Sequence, residues 1–203
     1  MSVGALMVEL RDEMEGMHLA RESALSHSRL IIQTSSKCIK HVHRGEFELA
    51  KEKLSEAKLL AAKARELTQD HPEVLYAGYL QDAEKEMVEA AGCLAIVSGK
   101  EIPSAESLNV QARSYLNGLG ECASELRRTV LDRLRDGHFE ESERLFALMV
   151  AIYDELCSFD FPDGLTGGLR KTCDALRAVI ERTRSDLTLT KIQQELIDEL
   201  RKQ

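Results

Sequence analysis

The feature that most constrains this chain is a helical seam that nothing interrupts. Leu25, Ser28, Ile32, Ser35, Ile39 and Val42 follow one another at alternating steps of three and four residues. That spacing keeps side chains on one face of an α-helix. The chain has only 3 prolines, and the first is Pro72. The helix is therefore free to run from near Val3 to His43 or Arg44, where Gly45 ends it. A rod of that length buries its seam against other helices and leaves no role for a sheet.

The rest of the chain reads the same way. A second helix over about 46–68 carries Phe47, Ala50, Leu54, Ala57, Ala61 and Ala64, and its small residues suit close helix approach. Asp70-His71-Pro72 is a stop followed by a start, with Asp70 as the cap. The third helix is expected over Pro72–Val97, followed by a loop from Ser98 to Pro103. The fourth begins at Ser104 or Ala105 and runs to Arg135. Gly118 and Gly120 within it signal either a close backbone approach or a mild kink. Asp136-Gly137 is a turn. A fifth helix follows over 139–157, and a loop over 158–168. A sixth helix runs from Leu169 into the 180s, and a short amphipathic helix from Leu187 to Leu200 docks on the body or on a neighbouring subunit. The expectation is an all-α antiparallel bundle forming one domain over residues 1–203. With 43% hydrophobic and 4% aromatic residues, its core is built from Leu, Ile, Val, Ala and Met.

Composition excludes several classes. The five cysteines are odd in number and none forms C-x-x-C, so neither a zinc site nor a disulfide framework is expected; five buried, reduced thiols are. No basic segment precedes an apolar leader, and no run approaches the ~18 apolar residues of a membrane span. A cytoplasmic protein without a membrane partner is the expectation.

The net charge of −8 argues against a generally basic surface, but the charge is uneven. Residues 21–44 hold Arg21, Arg29, Lys37, Lys40 and Arg44 against Glu22 alone. Arg29, Gln33, Lys37, Lys40 and Arg44 share one face of the first helix, and residues 23–45 contain no acid. An ordinary exposed helix alternates its charges. An unbalanced cationic stripe suits a phosphodiester backbone, and a solvated helix face is the alternative. Aromatic stacking platforms are missing, so nucleic-acid binding would rest on phosphate contacts and weaken steeply with salt. A second cluster (Arg127, Arg128, Arg133, Arg135) is interleaved with acids and reads as ion pairs.

Four carboxylates stand beside the burial pattern. Glu86 and Glu89 are spaced i,i+3 on the third helix, and Glu121 and Glu125 are spaced i,i+4 on the fourth. Carboxylates beside an apolar stripe need a positive partner: Arg, Lys or a divalent metal. Oxygen-only ligands from two neighbouring helices favour Mg²⁺ or Mn²⁺ and phosphoryl-transfer chemistry. The alternative is ion pairing with Arg127, Arg128 or their neighbours. A di-iron site needs Glu-x-x-His on two helices, and the spacing occurs here only once, at Glu15-Gly16-Met17-His18. No G-x-S-x-G elbow supports a serine hydrolase.

Several stretches resemble the translin and translin-associated factor X family. They are Arg21-Glu22, Ser28-Arg29 and His43-Arg44-Gly45-Glu46; Glu86-Met87-Val88-Glu89-Ala90; Tyr115-Leu116-Asn117-Gly118-Leu119 with Ser124-Glu125-Leu126-Arg127-Arg128; and Gly168-Leu169-Arg170-Lys171 with Glu181 to Leu187. They come in the family's order and cover roughly residues 21–187, and the compact chain is similar to the prokaryotic, archaeal-type members. The resemblance implies a translin-type bundle of about seven helices, assembled as a closed homo-octamer that holds RNA on its inner surface. It implies a Mg²⁺- or Mn²⁺-dependent endoribonuclease of the factor X type acting on single-stranded RNA, with binding of single-stranded DNA a further expectation. Glu86, Glu89, Glu121 and Glu125 are then catalytic and metal-binding, with Glu121 standing where the catalytic type carries Asp. Arg21, Arg29, Lys37, Lys40, His43 and Arg44 are then RNA-binding. The alternative within the family is a non-catalytic RNA- or single-stranded-DNA-binding scaffold of the translin kind. A purely structural helical oligomer is a third possibility.

Overall fold

The computed structural model describes residues 3–202. They form helices α1 (Val3–His43), α2 (Phe47–Thr68), α3 (Pro72–Leu75), α4 (Tyr79–Val97), α5 (Ala105–Leu108), α6 (Ala112–Arg135), α7 (Phe139–Cys157), α8 (Asp163–Thr166) and α9 (Leu169–Arg201), with no strand among the described residues. The fold is all-α, as the periodicity requires. None of these helices is long and apolar enough to cross a membrane.

Helix α4 is the axis of the arrangement. It packs against α1 and α2 on one side and α6 on the other, and α6 in turn packs against α7 and α9. One apolar cluster joins Ile31 of α1, Ala57, Ala61 and Ala64 of α2, and Leu80, Ala83 and Met87 of α4. A second, larger cluster centres on Leu126 and Val130 of α6, Leu145 and Met149 of α7, and Leu176 and Ile180 of α9. Because neighbours cover it on several sides, α4 is apolar around most of its circumference. A polar side chain on it must therefore find a partner or a gap.

Several boundaries differ from the sequence expectation. The third helix is split. Gly78 adopts φ +106°, a conformation that costs other residues strain, and α4 starts afresh there. The Gln81 side chain secures the break, accepting from Gly78 N–H at 3.1 Å and donating to the Leu75 carbonyl at 2.8 Å. The fourth helix is split by Asn109 at φ +52° into α5 and α6. The 158–168 loop contains α8, and the last two expected helices are one continuous α9. Asp70 is not a cap: His71 precedes α3, and no side chain caps that turn. The α1 seam is rotated by about one residue. Ile31 and Cys38 are fully buried, whereas Ile32 is 39% exposed, because α1 fills the angle between two neighbours rather than facing one. Four cysteines are buried as expected, but Cys157 is exposed.

Gly118 and Gly120 mark close approach, since α6 runs unbroken through both. A Cβ at Gly118 would lie 2.6 Å from the Lys85 carbonyl oxygen and 2.6 Å from Val88 Cβ. A Cβ at Gly92 of α4 would meet Cys122 Sγ at 2.8 Å. Contacts that tight leave room for no larger residue and hold α4 and α6 in one register. A buried ion pair fastens α2 to α4: Arg65 Nε and Nη2 donate to Glu84 Oε1 at 2.8 and 2.6 Å, with Glu84 only 1% exposed.

Candidate metal centre and its cationic surroundings

The α4–α6 contact sets the site. Lys85, Glu86 and Glu89 project from α4 along the strip that its neighbours leave partly open, and Glu121 and Glu125 face them from α6. One carboxylate oxygen from each of Glu86, Glu89 and Glu121 lies within 4.8 Å of the others. Three hard oxygen donors that close together on two helices could hold a single divalent cation.

The electrostatics match that crowding. Burial, followed by the neighbouring charges of Glu86, Glu121 and Glu125, pushes the Glu89 carboxyl up to about 8. Burial and the Glu121 charge likewise raise Glu86. The positive charge present is Lys85. Its Nζ donates to Glu121 Oε1 at 2.6 Å and stands 3.8 Å from Glu86 Oε1. Burial alone would lower the Lys85 ammonium. The hydrogen bond and charge of Glu121, aided by Glu86 and Asp82, outweigh it and hold Lys85 above the ordinary lysine value.

Glu125 stands outside that triad. Its Oε1 lies 2.6 Å from His43 Nε2, an imidazole whose side chain is 5% exposed. A carboxylate only accepts hydrogen bonds, so Nε2 is the donor in this pair. His43 Nδ1 is buried without a partner. His43 was expected to hold phosphate from the α1 surface; it instead turns inward and ties α1 to the carboxylates of α6. Arg21 is also engaged, through Glu22 at 2.7 Å and over the Tyr79 ring at 5.8 Å. Arg29, Lys37, Lys40 and Arg44 are exposed and form no ion pair among the described residues. The alternative to a metal is pairing of the carboxylates with Arg127, Arg128 or their neighbours; among the described residues neither Arg127 nor Arg128 forms an ion pair with them. Arg127 instead donates to Thr183 and Asp186 of α9 at 3.0 and 2.8 Å.

Sequence reading missed Lys85. Its signal was present: a lysine between Glu84 and Glu86, four residues before Glu89, on a helix that is otherwise nearly all buried. Behind the carboxylates, Cys93 and Cys122 bring their sulfurs to 3.6 Å in the sealed α4–α6 interface.

No protein-family model matches the sequence. Solved structures do match. AfC3PO and its complex with duplex RNA each align at a TM-score of 0.82 and 36% identity, over 92% of this chain and 97% of theirs; both are archaeal structures of the translin type. The chain belongs to the translin family. An uncharacterised protein of Methanocaldococcus jannaschii is 31% identical over 169 residues, 82% of this chain and 74% of that relative. The structure of apo-NeC3PO aligns at a TM-score of 0.81 with 21% identity, a likeness of fold. For this translin-family chain, the helical arrangement of the described residues is thus the family's all-helical fold.

Proposed function

We propose that residues 1–203 act as one helical domain of a cytoplasmic homo-oligomer, an octamer by the family resemblance, that binds RNA and cleaves single strands endonucleolytically. The observation that carries this reading is the convergence of Glu86, Glu89 and Glu121 oxygens within 4.8 Å. Those residues would hold Mg²⁺ or Mn²⁺, which when bound supplies charge neutralisation at a phosphate and an activated water. Glu125, held by His43, is placed to orient that site from its α6 side and to accept a proton. The exposed Arg29, Lys37, Lys40 and Arg44 are the phosphate contacts, with Arg21 two turns before them on the same helix. That a family member, AfC3PO, has been solved with duplex RNA supports nucleic acid as the ligand class.

The decisive experiment is cleavage of single-stranded and duplex RNA by the purified oligomer, with and without EDTA. Cleavage restored by Mn²⁺ and abolished in Glu89→Gln and Glu125→Gln, with RNA affinity and oligomer size kept, is the expected result. Undiminished cleavage by the double variant ends the proposal. One observation favours a second reading, a non-catalytic RNA- or single-stranded-DNA-binding scaffold: Lys85 already neutralises Glu121 without a metal. On that reading RNA binds, no Mn²⁺ is retained, and nothing is cut.

A further inference from the structure

Beside the carboxylates lies a cavity of about 270 Å³ whose chemistry is the opposite of theirs. Lys85 of α4, Arg113 of α6 and Lys171 of α9 line it, against the single carboxylate of Asp82. Lys85 is shared, touching Glu121 on one side and the cavity on the other. Arg113 and Lys171 make no ion pair among the described residues. Unpaired cations gathered in one concavity repel each other and favour an anion between them.

The frame around them is rigid. Asn117, 5% exposed, donates through Nδ2 to the Arg113 carbonyl at 2.8 Å and the Thr166 carbonyl at 2.7 Å. Its Oδ1 accepts from Thr172 Oγ1 at 2.6 Å. These bonds clamp the turn at Gly167 and Gly168 onto α6. Gly167 packs beside Arg113: an added Cβ would lie in ordinary van der Waals contact with its Nε, at 3.5 Å. The same turn brings the start of the long helix α9 to the cavity wall. There the Gly168, Leu169 and Arg170 N–H groups have no acceptor among the described residues.

We propose that this cavity is a phosphate seat, taking a phosphate group of the RNA and fixing it next to the carboxylate cluster through their shared residue, Lys85. The inference deepens the reading given under Proposed function and rests on RNA being the ligand. A phosphate anchored there sets which neighbouring bond of the chain is brought to Glu86, Glu89 and Glu121. The seat accepts either a terminal 5′-phosphate or an internal phosphodiester, since both present anionic non-bridging oxygens, three in the first and two in the second.

The test uses the full-length oligomer in EDTA, so that no RNA is cut, and the double variant Arg113→Gln with Lys171→Gln. Affinity for oligoribonucleotides with 5′-phosphate and with 5′-hydroxyl ends is measured by fluorescence anisotropy. The expected result is a loss of about tenfold or more. Confinement of that loss to the 5′-phosphorylated RNA identifies the terminal group, and equal loss on both identifies an internal phosphate. Inorganic phosphate should raise the melting temperature of the parent protein and not that of the variant. Arg177→Gln with Lys191→Gln removes the same charge elsewhere on α9 and should cost less than twofold. Equal losses in the two double variants, or no loss in the first, overturn the proposal. Failure of the parent protein to bind any RNA defeats the functional reading instead. The phosphate-induced melting shift then still decides the seat, and a shift equal in parent and variant overturns it. Retained Mn²⁺ binding in the variant separates the seat from the metal centre.

Discussion

Lys85 Nζ donates to Glu121 Oε1 at 2.6 Å across the α4–α6 contact, so a cation tethered to the chain is bound to one of the three carboxylates that converge there. Like charges a few ångströms apart repel by about a few kcal/mol under protein-like screening. Lys85→Met should therefore tighten Mn²⁺ binding by at least about tenfold, read by isothermal titration calorimetry. The same variant should melt at a lower temperature in EDTA, because its carboxylates lose their counter-charge. Equal or weaker Mn²⁺ binding means that Lys85 does not compete for the site.

Glu89 makes the metal-free protein sensitive to pH. Its carboxyl titrates at about 8 in the folded state against an ordinary value of 4.5. Between those values the folded chain keeps a proton that the unfolded chain has lost, so stability falls as pH rises through that window. Glu84 and Glu86 are raised as well and act in the same direction. Glu89→Gln should raise the melting temperature in EDTA by several degrees at pH 8, corresponding to roughly 1–4 kcal/mol. Below pH 4.5 the two proteins should melt together within about 1 °C. An equal gain at both pH values rules out titration of Glu89 as its source.

The His43–Glu125 pair distinguishes a positioning role from a phosphate contact. If His43 orients Glu125, His43→Gln should lower kcat by about 10- to 100-fold with little change in RNA affinity. If His43 holds phosphate, affinity falls and kcat at saturating RNA is preserved. Single-turnover cleavage together with anisotropy binding separates the two. The 5% exposure of the imidazole favours the first outcome.

Gly118 admits no side chain. Gly118→Ala would drive its Cβ into the Lys85 carbonyl and Val88, and backbone cannot yield as a flexible side chain does. A loss of about 1–3 kcal/mol is expected, seen as a drop of several degrees in melting temperature. Because the displaced carbonyl belongs to Lys85, Mn²⁺ affinity should change with it. Melting within about 1 °C of the parent would show that the helices can separate without cost.

The helices were legible because their signals are local. The three-and-four spacing of Ala50, Leu54, Ala57, Ala61 and Ala64 identified the inward face of α2, and Gly45 and Asp136-Gly137 marked turns the structure retains. Boundaries failed where a residue permits a break without requiring one: Gly78 and Asn109 adopt left-handed backbone, which glycine and asparagine tolerate but do not dictate. The carboxylates were legible as pairs on one helix face, and Glu86, Glu89 and Glu121 are brought together by the α4–α6 contact. Nothing in spacing distinguished Glu84, buried against Arg65, from Glu86 beside the open strip two residues later.

What the sequence determined by itself was the helical class, the approximate course of the helices and which side chains share a face, since these follow from the 3.6-residue repeat and from proline and glycine placement. Tertiary structure alone decided which charges meet. Lys85 reaches Glu121 across 36 residues and His43 reaches Glu125 across 82, and the Arg113–Lys171 cavity exists only where α6 and α9 close together. Such pairings depend on the depth at which one helix settles against another. That depth is set at Gly118 and Gly92, where the facing helix comes so near that an added Cβ would lie within 3 Å of it.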